Sequence, residues 1–347
     1  MTDGLITERF SAQLLTGPPA RSAVEVTGRL LAVQGQDPRG ARLAIRARSA
    51  GLTAADVDRA LTEDRSLLIT WLNRGTLHLV RREDYWWLHS LLTPPLFTAV
   101  ARRLGSEGVT PAAADRAVAA IERSLADEGP LTRPQLRERI EAAGIATDGQ
   151  ALVHELFLAC LRGVAVRGPV VGREHAFALV RDWIGAPPPA VDRDVALAEL
   201  ARRFLVGHGP ASERDLAKWA GLPLRDARRG LVAIADELRQ LDGARTGLVD
   251  LVGQRRETSL PPPRLLGSFD PLLHGWVSRA PILGENRGIV TVNGLFRPFA
   301  LVAGRAAATW KLAGGVVTLD PFGDIDTAAQ PELAADAADV LRFLGID

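Results

Sequence analysis

Three times in this chain, about 80 residues apart, a hydroxyl residue stands three places ahead of Asp or Gln at the mouth of an apolar run. The phrases are Thr53-Ala54-Ala55-Asp56-Val57, Thr132-Arg133-Pro134-Gln135-Leu136 and Ser212-Glu213-Arg214-Asp215-Leu216. Each is the start signal of a helix. The hydroxyl accepts a bond from an N–H that the first turn leaves without a partner, and the later side chain reaches back to the capping residue. A start signal recurring at a fixed period constrains the chain to repeated copies of one helical unit.

At 347 residues there is room for roughly two to four such modules with ample cores. Hydrophobic content of 47% and charged content of 24% are those of an ordinary globular protein. No uncharged apolar run reaches the length of a membrane span, so no membrane partner is expected. Met1 to Phe10 carries Asp3, Glu8 and Arg9 but no apolar signal core, which points to the cytoplasm. Cys160 is the only cysteine, which excludes intrachain disulfides and thiolate metal clusters; it reads as a small core residue. Net charge is +1, so no global field draws the chain to a polyanion, and nucleic-acid binding requires charge sorted onto one face. Lys218 and Lys311 are the only lysines. The remaining basic residues are arginines, whose planar fork suits phosphate.

Ser11 to Leu31 reads as a leading helix broken around Gly17-Pro18-Pro19. Pro38 opens a helix in which Arg39, Arg42 and Arg46 form a basic stripe against Ala41, Leu43, Ala44 and Ile45. Thr53 caps a second helix through Leu61. Ser66–Leu72 and Thr76–Val80 are β-like, joined by Asn73-Arg74-Gly75, and Glu83 to Leu92 returns to helix. Helix, helix, hairpin is the order of a winged helix, a shape that lies against DNA. The second copy runs Thr132 to Ala143 and Gln150 to Arg162, with a wing from Gly163 to Val180 turning at Gly168-Pro169 and Gly172-Arg173. The third runs Ser212 to Ala220 and Pro223 to Leu241, with a wing from Gly243 to Gly253. Pro187-Pro188-Pro189 and Pro261-Pro262-Pro263 are stiff linkers. Beyond Leu265, strands are expected over 288–292, 295–302, 306–312 and 316–319, with turns at Asn293-Gly294 and Ala303-Gly304 and a closing helix from Glu332 to Leu344. The expected fold is therefore mainly α with β: three tandem winged-helix units and a C-terminal β-barrel or hairpin element. Its spans are 1–95, 96–186, 190–260 and 261–347.

The six histidines are scattered, and no HExxH, CxxC, P-loop or dinucleotide glycine spacing is present, so neither metal nor cofactor is expected. His78 reads as structural, and Trp86, Trp87, Trp219 and Trp310 as core. The segment Leu31-Ala32-Val33-Gln34-Gly35-Gln36-Asp37-Pro38 is different: it places two amides one residue apart in an extended stretch entering a helix. From the residues alone it reads as the cap of that helix; a donor–acceptor pair projected from one corner is the second reading.

This segment, together with Gly51–Leu61 and Leu72–Val80, resembles the winged-helix DNA glycosylases with AlkZ-like and YcaQ-like branches. Phe269-Asp270-Pro271-Leu272-Leu273-His274-Gly275-Trp276 and Gly294–Arg305 resemble two further family segments, the latter the start of its C-terminal β-hairpin. The resemblance implies that Gln34 and Gln36 are catalytic, in the pattern of the AlkZ-like branch, which acts on bulky alkyl adducts and interstrand crosslinks. Gly35 departs from the larger apolar residue usual there and leaves less packing behind the motif. The implied reaction is hydrolysis of the N-glycosidic bond of N7-alkylated purines in double-stranded DNA, in repair or self-resistance, by a monomeric, nucleoid-associated protein. The purine is already cationic, so it departs without an acid. Asp37 then helps Pro38 start the helix, or acts as a base. Scarcity of lysine points to a monofunctional enzyme that leaves an abasic site. Arg39, Arg42, Arg46, Arg297 and Arg305 are the expected DNA contacts, mostly to backbone. A tandem winged-helix regulator without catalysis is the alternative; a protein–protein module of the same fold is the third reading.

Overall fold

A computed structural model describes residues 3–172, 174–286 and 288–346 of the chain. In order, the elements are helices α1 (Asp3–Ala12) and α2 (Ala23–Leu30), the short strand β1 (Val33–Gln34), α3 (Pro38–Arg46) and α4 (Ala54–Thr62). There follow β2 (Leu67–Leu72), β3 (Thr76–Arg81), α5 (Tyr85–Leu92), α6 (Phe97–Ser106), α7 (Pro111–Glu128), α8 (Arg133–Ala142), α9 (Ala151–Leu161), β4 (Ala165–Val171), β5 (Glu174–Leu179) and α10 (Val180–Trp183). Then come α11 (Arg193–His208), α12 (Glu213–Ala220), α13 (Leu224–Ala233), β6 (Leu238–Gln240), β7 (Val249–Leu251), β8 (Arg264–Leu266), α14 (Ala280–Leu283), β9 (Phe299–Val302), β10 (Arg305–Ala313), β11 (Val316–Pro321) and α15 (Ala329–Leu344). They form two compact units: the chain up to Val57 joined by everything from Asp194 onward, and Asp58–Arg193 between them. The four linear spans expected from sequence remain a proposal, and two of them, 1–95 and 190–260, run across the borders of these units.

All three repeated phrases are capping boxes. The N–H groups of Thr53, Thr132 and Ser212 donate to the side chains of Asp56 (2.8 Å), Gln135 (2.8 Å) and Asp215 (2.9 Å), and each such cap contributes on the order of 1 kcal/mol. Helix, helix and strand pair recur as α3–α4–β2–β3, α8–α9–β4–β5 and α12–α13–β6–β7. The phrase is out of register with this order: in the first set it opens the second helix, in the others the first.

In the Asp58–Arg193 unit the antiparallel sheet order is β3-β2-β4-β5. Every residue of β2 is buried, and Trp71 on it stacks on Phe157 of α9 (5.2 Å) and Phe177 of β5 (6.4 Å). The β2–β3 turn is where the sequence places it, with Arg74 and Gly75 at φ 59 and 74. Gly168-Pro169 is not a turn. It lies inside β4, where the register slips between Arg167 and Val170, and a Cβ on Gly168 would come within 2.7 Å of the Trp183 indole nitrogen. Of the expected turn at Gly172-Arg173, Arg173 lies outside the described residues.

In the other unit the sheet runs β11-β10-β9-β8, an open order rather than a closed barrel. Tight turns at Ala303-Gly304 (φ 48 and 76) and Gly314-Gly315 (φ 55 and 78) connect its last strands. The strands expected over 288–292 and from 295 shrink to one bridge between Val290 and Phe296, with an Asn293-Gly294 turn; the regular strand begins at Phe299. α13 ends at Ala233, well short of Leu241. Pro187–Pro189 falls in exposed chain just before the unit border, whereas Pro261–Pro263 leads straight into β8. Among the described residues no helix is long and apolar enough to cross a membrane. Trp219 and Trp310 are core residues; Trp86 and Trp87 are half-buried. His78 is buried, with Nδ1 2.9 Å from the Thr76 carbonyl, and burial lowers its pKa to about 3.

Candidate active site

The two amides sit at a sharp reversal. Leu31, fully buried, takes φ 64 at the end of α2, and the Ala32 N–H folds back to the Leu30 carbonyl at 2.8 Å. A bulky residue holds such a conformation only where its surroundings enforce it. The chain then extends through Val33 and Gln34 and enters α3. Gln34 is 6% exposed and Gln36 is exposed. Gln34 Nε2 donates to Gln36 Oε1 at 3.4 Å, a long bond that ties the two carboxamides together. Gln34 Oε1 is buried and has no hydrogen-bond partner. Asp37 is the N-cap of α3: its Oδ1 accepts from the Arg39 N–H at 3.0 Å, with Pro38 at the first helical position.

α3 is pinned along its length. At Gly40 an added Cβ would collide with the Ser268 carbonyl oxygen, and one at Gly267 would lie 2.9 Å from Leu43 Cβ and 3.1 Å from Gly40 Cα, so helix and loop meet backbone to backbone. Arg46 and Arg48 secure the other end. Arg48, without solvent exposure, donates to both Asp270 oxygens (2.7 and 2.9 Å), to Gln13 Oε1 (2.9 Å) and to the Ala44 carbonyl. Arg46 donates to Asp336 (2.9 Å), Asp339 (3.0 Å) and the Leu265 carbonyl (2.9 Å), while Asp336 also accepts from the Leu265 N–H.

This overturns one expectation. Arg46 faces inward, its side chain 1% exposed and paired with two carboxylates, so it presents no surface to a phosphate. Of the other arginines, Arg39 is exposed at the start of α3 and Arg42 is half-buried one turn on, donating to the Pro38 carbonyl at 3.1 Å. Gln34, Gln36, Arg39 and Arg42 thus share one corner. Arg297 and Arg305 are exposed near the C-terminal turns.

An aromatic cluster escaped the sequence reading. The rings of Phe269 and His274 lie nearly parallel (13°) at 6.4 Å, Phe269 meets Phe296 at 5.5 Å and His274 meets Phe296 at 4.3 Å. The Arg279 guanidinium sits 5.0 Å over Phe296, and burial lowers its pKa. Phe269 immediately follows the Ser268 that abuts Gly40. The residues come from loops without periodicity; the shared segments Phe269–Trp276 and Gly294–Arg305, which hold the three rings, are the sequence signal for them.

Deeper in the same unit, His208 packs on Phe204 (4.8 Å), Trp219 and Trp276. Burial lowers its pKa to about 3, so it is neutral. Arg9 lies over Trp276 at 4.7 Å, and burial lowers its pKa to about 10 against the opposing pull of Asp215. Among the described residues no group of three or more His, Cys, Asp or Glu is placed to hold a metal ion.

The chain as a whole is similar to known proteins. A family model described as DNA glycosylase AlkZ-like matches residues 27–343, which include Gln34, Gln36 and the aromatic cluster. An interstrand DNA cross-link repair glycosylase from Streptomyces sahachiroi is 27% identical over 97% of this chain and 95% of its own. The structure of the Streptomyces sahachiroi DNA glycosylase AlkZ superposes with a TM-score of 0.78 at 26% identity, covering 99% of this chain and 97% of that one.

Proposed function

Because this chain belongs to the AlkZ-like DNA glycosylase family, we propose that it hydrolyses the N-glycosidic bond of N7-alkylated purines in double-stranded DNA, bulky adducts and interstrand crosslinks included. The observation that carries this reading is the Gln34 carbonyl oxygen, buried and unpartnered beside the exposed amide of Gln36. A desolvated carbonyl is costly unless something arrives to use it. A water donating to Gln34 Oε1 and accepting from the Gln36 amide nitrogen is held with a lone pair free for the sugar. Its oxygen bonds to C1′ as the C1′–N9 bond breaks. The electron pair of that bond neutralises the cationic purine, and the proton of the water passes to solvent. The carbonyl dipoles face the positive charge developing on the sugar. Positioning of this kind supplies at best roughly 7–11 kcal/mol.

No acid is required, and Asp37 is engaged in capping α3 rather than serving as a base. The crosslink-repair name of the Streptomyces relative supports extending the substrate range to crosslinks. The Lys218 amine donates to the Val277 and Trp276 carbonyls, which favours a monofunctional enzyme that leaves an abasic site. Arg39, Arg42, Arg297 and Arg305 contact the DNA backbone, and a single copy of the chain suffices.

Duplexes carrying N7-methylguanine or a crosslink, incubated with wild-type protein, yield alkali-labile abasic sites and no borohydride-trapped adduct. Gln34→Ala with Gln36→Ala slows release by about 100-fold or more. Undiminished release by that variant refutes the mechanism. Sequence-preferred footprints without base release would mark a regulator built from tandem winged helices instead.

A further inference from the structure

We infer that Phe269, His274 and Phe296 form a stacking face for a planar aromatic substituent carried on the alkylated base, an inference that rests on the glycosylase reading above. The three rings are in mutual contact at 4.3–6.4 Å. The back of the group is fixed by Arg279, which lies over Phe296 while its Nε donates to the Leu273 carbonyl at 2.6 Å. A cluster serving only as core is covered on all sides. Here Phe296 is buried, but Phe269 and His274 are only half-buried, so the cluster borders solvent rather than being covered on all sides.

Phe269 also holds φ 57, a backbone conformation that bulky residues adopt only under constraint and that gathers at functional sites. The position is equally specific. Ser268, the preceding residue, abuts Gly40, and Gly40 lies about 4.5 Å along α3 from the Asp37 cap that follows Gln36. The rings and the amide pair are thus carried by two segments locked to each other. Aromatic faces recognise flat π systems with little regard to their hydrogen-bonding edges, and a guanidinium against the cluster adds a cation–π contribution. A methyl group at N7 offers no plane to stack; a ring at N7 does.

The test compares kcat/KM for release of N7-benzylguanine with that for N7-methylguanine from otherwise identical duplexes. Phe269→Leu and His274→Leu each lower the benzyl-to-methyl ratio about 10-fold, and Phe269→Tyr, which keeps a ring, holds the wild-type ratio. The ratio cancels any loss of folded protein. An unchanged ratio in both leucine variants, with wild-type protein active on both duplexes, overturns the stacking face alone. So does an equal loss on both substrates, which assigns the rings to the fold or to an ordinary nucleobase. Wild-type protein that releases neither base overturns the glycosylase reading, and the stacking face with it.

Discussion

Replacing Gly40 by Ala tests whether the seating of α3 governs catalysis. The new methyl group would meet the Ser268 carbonyl oxygen far inside the 3.4 Å at which ordinary contact begins. The obstruction is backbone, so it has no rotamer to escape into, and α3 and the loop at Ser268 must part by about 1 Å. Overpacking of this kind costs about 1–3 kcal/mol, while Ala in place of Gly inside a helix returns about 1 kcal/mol. The net loss of stability is therefore about 0–2 kcal/mol, and the variant folds. The geometry fares worse: a displacement near 1 Å at a positioned catalytic group costs about 100-fold in rate. Single-turnover release of N7-methylguanine by Gly40→Ala is expected to fall by that factor, with a melting temperature within a few degrees of wild type. Gly105→Ala, in α6 with nothing near its Cβ, is the propensity control and raises stability by about 1 kcal/mol. Wild-type excision rates in Gly40→Ala would refute the claim that this backbone contact sets the amide pair.

Three further outcomes follow from the buried charges. Asp270→Ala strands the Arg48 guanidinium without solvent and destabilises by about 3–5 kcal/mol in urea titrations, whereas Arg48→Met with Asp270→Leu recovers most of the loss. Burial raises the Glu155 pKa from 4.5 to about 7, and neither of its oxygens has a hydrogen-bond partner. The folded state keeps a proton that the unfolded chain has lost, so the stability contributed by Glu155 is fully present below pH 4.5, falls by about 3 kcal/mol as pH rises through 7 and stays low above; urea midpoints for Glu155→Gln lack that slope. Arg39→Ala weakens DNA binding and lowers the salt slope by about 1, while Arg46→Met lowers the melting temperature and leaves the salt slope of the folded fraction unchanged.

What the sequence makes legible is what is local. The boxes at Thr53, Thr132 and Ser212 need only residues three apart, and the turns at Arg74-Gly75 and Ala303-Gly304 are marked by a glycine at positive φ between two strand-like runs. α6, α7 and α11 fall in stretches given no element, although the Thr110 hydroxyl accepts from the Ala113 N–H to open α7, a signal of the same kind. Gly168-Pro169 imitates a turn because its composition does; the glycine is there to admit the Trp183 ring. Arg46 shares its helical spacing with Arg39 and Arg42, and spacing cannot reveal that its carboxylates lie on α15. The aromatic cluster is invisible to spacing for the same reason, since positions 269, 274 and 296 share no period.

The guanidinium of Arg46 finds Asp336 and Asp339 at separations of 290 and 293 residues. During translation Gln34 and Gln36 leave the ribosome early, yet the helix behind them lacks its Arg46 anchor until the much later Asp336 and Asp339 are made. A nascent polypeptide, or one cut short before Asp336, displays both amides with the Ser268 and Asp270 contacts but without the ion pairs that hold the far end of α3.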